Sequence, residues 1–146
     1  MEQSLIIVAA VDGSDHSGPV VREAVKFAKL MDAELHLLHV AHLTGLYYSA
    51  LAAALTDEDE LEKKLVEAVW DRIDPMLTEL DGLDVTKVGR RGYAGDEIAD
   101  YAEDVDAGLI VMGSKGWGAL KSAVLGSTSQ RVLHRTDRDV LVVSAA

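Results

Sequence analysis

Three short stretches built only of apolar residues constrain this chain most. They are Leu5-Ile6-Ile7-Val8-Ala9-Ala10-Val11, Leu109-Ile110-Val111-Met112 and Val140-Leu141-Val142-Val143. Each reads as a strand, and the first two, without a polar face, read as buried on both sides, as in the middle of a parallel sheet. The first run stops abruptly at Asp12-Gly13-Ser14, and the second runs straight into Gly113. Parallel strands need long crossover connections, so helices are expected between them.

The intervening sequence supplies those helices. After Ser14, Pro19 suits a first helical turn, and Val20, Ala24, Phe27, Ala28 and Met31 recur at helical spacing. Residues 34–40 read as a second strand. Residues 42–48 look like a loop, while the alanine-rich residues 49–55 suit either loop or helix. Thr56, three residues before Asp59, resembles a helix N-cap. From there Leu61, Leu65, Val69, Ile73 and Met76 form an apolar stripe. Asp74-Pro75 either kinks this helix or opens a new one, with Asp74 as cap and Pro75 at the first position. Gly82 is expected to close the helix, residues 85–89 to form a third strand, residues 96–103 a helix with Ile98, Ala99 and Ala102 inward, and residues 127–135 the last helix. Strands alternating with helices predict α/β architecture: a single doubly wound domain with a five-stranded parallel sheet and helices on both faces.

Composition narrows the function classes. With 146 residues, 49% of them apolar, the chain can bury an ordinary core. It has no cysteine, which excludes disulfides, thiolate metal sites and a cysteine nucleophile, and suits a reducing cytoplasm. No stretch is long enough to span a bilayer, and the non-basic start does not resemble a signal peptide, so a cytoplasmic protein without membrane contact is expected. A net charge of −11 argues against wrapping nucleic acid. The acidic patches at residues 57–60 and 97–106 are read as solvated surface, a saline cytoplasm being the alternative.

The functional signal is concentrated in Gly113-Ser114-Lys115-Gly116-Trp117-Gly118, residues 119–125, and Gly126-Ser127-Thr128-Ser129. Glycines after a strand let the backbone approach an anion, and the start of the following helix offers free amides and hydroxyls. A phosphate cradle is one reading. The other is a capping box made by Ser127 and Gln130, which needs no ligand. The segment is neither a P-loop, because Leu120 stands where glycine is required, nor the dinucleotide fingerprint, because Lys121 stands at its third glycine.

The spacing Gly113-x-x-Gly116, nine residues, then Gly126-Ser127 resembles the nucleotide motif of the universal stress protein family. So do its surroundings, Ile110-Val111-Met112-Gly113-Ser114 and Val140-Leu141-Val142-Val143, as well as Val11-Asp12-Gly13-Ser14 and Leu38-His39-Val40. The likeness covers nearly the whole chain and weakens over residues 41–80. It implies sheet order 3-2-1-4-5, a bound adenine nucleotide such as ATP with any magnesium riding on the phosphates, and a homodimer paired through the last strand. It also implies a regulatory role toward an unidentified protein partner. By position, Asp12 matches the acidic residue near the adenosine, with a turn aspartate as the alternative. Val40 matches the backbone at the adenine edge, with an ordinary core residue as the alternative. Gly113, Gly116, Gly126, Ser127 and Thr128 match the phosphate and ribose contacts, flanked by Met112 and Ser114. Ala10 stands where the family often has proline, Gly108 where it has aspartate, and Asp139 where it has proline. Gly108 is expected to loosen the entry to strand 4.

Other constellations carry less. His36 and His39 would point to opposite faces of a strand, so a metal shared with His42 is not expected. Trp70 lies in the helical stripe and reads as packing, and Trp117 as an exposed or interface residue. No nucleophile stands beside an evident base, and no arginine finger or positioned glutamine accompanies the loop, so at most slow ATP hydrolysis is expected. A nucleotide-independent interaction module is the remaining alternative.

Overall fold

The computed structural model describes residues 3–42, 58–114 and 125–144. The elements run β1 (Ile6–Ala10), α1 (Ser17–Met31), β2 (Glu34–Ala41), α2 (Glu58–Ile73), a 3-10 turn (Asp74–Met76), β3 (Val85–Arg91), α3 (Ala94–Asp104), β4 (Leu109–Gly113), α4 (Ser127–Arg135) and β5 (Asp139–Val143). All neighbouring strands pair in parallel, in the order β3-β2-β1-β4-β5.

Alternation along each strand divides the core in two. Ile7, Ala9, Leu35, Leu37 and Val111 face one way and pack against Val20, Val21, Ala24 and Ala28 of α1 and Ile73 of α2. Val8, Leu38, Ile110 and Met112 face the other way and meet Ile98, Tyr101 and Ala102 of α3 and Val132 of α4. The apolar runs of β1 and β4 are thus covered by helices on both sides, whereas that of β5, at the edge of the sheet, is only half-buried.

Several expectations shift at element ends. The α1 stripe stops at Ala28, and Met31 is exposed because the helix ends there in a left-handed Asp32. In α2, Ile73 is buried and Val69 packs on the core, whereas Leu65 faces solvent. Of the two expectations at Asp74-Pro75, the structure takes the new turn, but as one turn of 3-10 helix whose N-cap is Ile73 rather than Asp74. Gly82 therefore does not close α2; with φ +78° it makes the turn into β3. Both β2 and β3 run further than expected, pairing through Ala41 and Arg91. Gly108 does not loosen β4: its N–H donates to the Ile6 carbonyl at 2.9 Å, and a Cβ there would sit 2.2 Å from Leu5 Cδ1. The glycine makes room for Leu5. Asp139 is the exposed first residue of β5, paired with Leu109. The expectations for residues 43–55, for Thr56 and for Gly116 and Trp117 lie outside the described residues. No helix among the described residues is long and apolar enough to cross a membrane.

Candidate functional site

In this strand order β1 is followed by β2 on one side, and the chain later returns to lay β4 on the other. Between the carboxyl ends of such strands an open α/β sheet leaves a crevice. Here it is a cleft of about 670 Å³.

One wall is the turn after β1. Val11 N–H extends the ladder to the Leu38 carbonyl at 2.9 Å. Asp12 Oδ1 then accepts from Ser14 N–H at 2.9 Å and from the Ser17 hydroxyl at 3.0 Å. Ser17 Oγ in turn accepts from the Asp12 and Gly13 amides, both at 3.2 Å. Gly13 has φ +80°, and an added Cβ would meet Val69 Cγ1 at 3.3 Å. The Gly13 carbonyl accepts from Arg72 Nη1 at 3.3 Å. The Asp12 side chain therefore orders the turn. It does not cap α1, whose N-cap is His16 with no side-chain cap.

The opposite wall is the start of α4. Ser114 N–H donates to the Val143 carbonyl at 3.0 Å, Gly126 N–H donates to the Ser114 carbonyl at 2.8 Å, and the Ser129 hydroxyl donates to the Gly113 carbonyl at 2.8 Å. The first bond extends the β4–β5 pairing, and the other two seat the helix beside the end of β4. Its N-cap is Gly126 with extended backbone and no side-chain cap. The capping box is thus not formed: Ser127 is the first helical residue, and Gln130 Nε2 donates to the Leu125 carbonyl at 3.1 Å. The amides of Ser127, Thr128 and Ser129 have no intrahelical acceptor and carry the positive end of the helix dipole.

A clasp to α3 fixes the direction of α4. A Cβ at Gly95 would lie 2.5 Å from Arg131 Cβ, so the helices touch there through the missing side chain. Arg131 Nε donates to Asp96 Oδ1 at 2.5 Å, and one turn later Arg135 Nε donates to Asp100 Oδ1 at 3.0 Å. The hydrogen bond from Arg131 holds the Asp96 carboxyl below its usual range, and the bond to Asp100 holds Arg135 above its own.

The described wall of the cleft contains Ala10, Asp12, Val40, Met112, Gly113, Ser114, Gly126, Ser127 and Thr128, nine of the ten residues expected from sequence; Gly116 lies outside the described residues. Asp12 and Ser127 therefore share one opening. Ser17, Ala94 and Ile98 also line it, as do His16, His39 and His42, which the sequence reading did not place there. Among the described residues the lining has one carboxylate, three imidazoles and no lysine or arginine. His36 instead points to the other face, with Nδ1 2.7 Å from the Tyr101 hydroxyl; burial pushes that phenol's pKa up. No group of three or more metal-ligating side chains occurs among the described residues. Trp70 packs against the core, edge-on to His39 and under Lys87.

Fold and crevice define a doubly wound parallel α/β protein with an open cleft at its crossover point. The profile of the universal stress protein family matches residues 5–144, and the chain belongs to that family. Universal stress protein YxiE of Bacillus subtilis is 31% identical over 147 residues, covering 94% of this chain and 97% of that protein. The structure of MJ0577 of Methanocaldococcus jannaschii superposes with a TM-score of 0.81 at 28% identity, covering 99% of each chain. A universal stress protein of Archaeoglobus fulgidus, solved in complex with dAMP, gives a TM-score of 0.62 at 25% identity over 98% of this chain and 99% of that one.

Proposed function

We propose that the cleft holds an adenine nucleotide, ATP in the first instance, and that the protein is a nucleotide-binding regulator of the stress response working in the cytoplasm. One observation carries this reading: the uncapped first turn of α4 lies across a single cleft from the Asp12 turn and the end of β2. The helix start supplies donors and positive potential for phosphates. The ends of β1 and β2, with Asp12 and the Val40 backbone, suit the hydrogen-bonding edges of a nucleoside. The volume is that of a small-ligand site. The relative bound to dAMP supports the same ligand class.

In this reading Ala10, Val40 and Met112 flank the base, Asp12 takes the ribose or adenine amine, and Gly113, Ser114, Gly116, Gly126, Ser127 and Thr128 surround the phosphates. Magnesium would be held chiefly by phosphate oxygens and water. A second copy pairs along the edge strand β5, whose Val140, Leu141, Val142 and Val143 are only half-buried.

Calorimetric titration with ATP and magnesium tests the site. Saturable binding is expected, and Ser127→Pro should weaken it about tenfold or more, because proline at the first helical position keeps the helix but removes both the amide and the hydroxyl donor of Ser127. Combined Gly113→Val and Gly126→Val should abolish it. Wild-type protein that takes up no ATP overturns the proposal.

A further inference from the structure

His39 lies near the end of β2, just before Val40, held in register opposite Gly89 of β3. Its Nδ1 lies 3.0 Å from the carbonyl oxygen of Val11. A carbonyl can only accept, so Nδ1 carries the proton in this contact. In a neutral imidazole the other nitrogen, Nε2, then has the lone pair. The ring is also fixed by Trp70, which it meets at 6.4 Å between centroids and 79° between planes. His39 lines the cleft, and Nε2 is the one polar side-chain atom it has left to offer there.

We infer that His39 is a specificity-determining residue whose Nε2 accepts a hydrogen bond from a donor on the nucleoside half of the ligand, an inference that rests on the nucleotide reading above. A lone pair there repels phosphate oxygens and selects a hydroxyl or amine. The cleft is therefore polarised. Acceptors lie on the β1 and β2 side, at Asp12 and His39, and donors lie on the α4 side, at the amides of Ser127, Thr128 and Ser129. A ligand with hydroxyl or amine donors at one end and phosphates at the other has one favourable orientation. A free polyphosphate contacts only the α4 wall. The bond from Nδ1 to Val11 also ties His39 to the residue before Asp12, so both acceptors are set by the same turn after β1.

Two variants separate the nitrogens. In His39→Asn the side-chain amide nitrogen overlies Nδ1 and keeps the bond to Val11, but nothing occupies Nε2. In His39→Gln the amide reaches Nε2 and its oxygen restores an acceptor. His39→Asn should bind ATP about tenfold more weakly than wild type and inorganic tripolyphosphate equally well, with His39→Gln recovering part of the loss. Three analogues identify the donor: 2′-deoxy-ATP, 3′-deoxy-ATP and N6,N6-dimethyl-ATP. The analogue lacking the group read by His39 should lose about tenfold against wild type and no more against His39→Asn. If every analogue loses the same factor against both proteins, the role of His39 is overturned while nucleotide binding stands. Wild-type protein that takes up no ATP overturns the functional reading itself. A readout without any variant is the two-bond proton–nitrogen NMR spectrum of His39 at about pH 8. The proton is expected on Nδ1, with Nε2 shifting on addition of ATP; a proton on Nε2 contradicts the inference.

Discussion

The two walls of the cleft are ordered in opposite ways. At the β1 end, side chains do the ordering: Asp12 and Ser17 bond to each other and to three successive amides, those of Asp12, Gly13 and Ser14. At the β4 end the helix start is seated by its neighbours, through Gly126 on Ser114 and Ser129 on Gly113, and its own first amides have no acceptor among the described residues. A turn that satisfies its own donors presents acceptors. A helix start without a cap presents donors. The difference gives the cleft its polarity, and it predicts that the two walls fail differently when perturbed.

The largest effect is expected where the α4 wall depends on close packing. Gly95→Val puts a branched side chain where even a Cβ lies 2.5 Å from Arg131 Cβ. Overpacking of this kind costs about 1–3 kcal/mol, and the displaced helix start should lose phosphate contacts as well. Thermal unfolding and ATP titration should therefore both worsen; unchanged affinity would separate the clasp from the site.

Asp12 should show the reverse separation. Asp12→Ala removes the acceptor for Ser14 N–H and the Ser17 hydroxyl and should cost about 1–2 kcal/mol of stability. Asp12→Asn keeps an oxygen in the same place, so the turn should survive while the charge is lost. If Asn matches wild type in stability but weakens ATP binding, the carboxylate contacts the ligand. If Asn matches wild type in both, Asp12 serves the turn alone.

The smallest effect is electrostatic. The folded Asp96 carboxyl titrates below its ordinary value because Arg131 donates to it. A depressed carboxylate adds stability that is complete above the unfolded value, about pH 4, and is lost as pH falls through the folded one. Arg131→Gln should flatten that acid-side loss in urea midpoints measured across a pH series. An unchanged slope would show that the pair contributes nothing, as many exposed pairs do.

The same contrast explains what could be read from sequence. The strands were legible because Ile7, Val8 and Ile110 sit in runs with no polar face, and the crossover site because Gly113 ends such a run and Gly126 stands at the motif spacing from it. The end of α2 was not, since Pro75 stops that helix well before Gly82, and a glycine after a stripe looks the same whether it caps a helix or turns into a strand. The capping box was misleading because Ser127 and Gln130 have its spacing, but Gly126 takes the cap position with an extended backbone. His39 carried no signal of its own. Its place in the cleft follows from the β1–β2 register and the Val11 carbonyl, neither of which a linear sequence displays.

Backbone amide NMR during an ATP titration tests the central claim most directly, because it reads both walls at once. Large shifts are predicted for the amides of Ser127, Thr128 and Ser129, with smaller ones at Asp12 and Val40, while tripolyphosphate moves only the α4 set. Shifts confined to one wall, or an α4 start that ATP leaves untouched, would contradict the account.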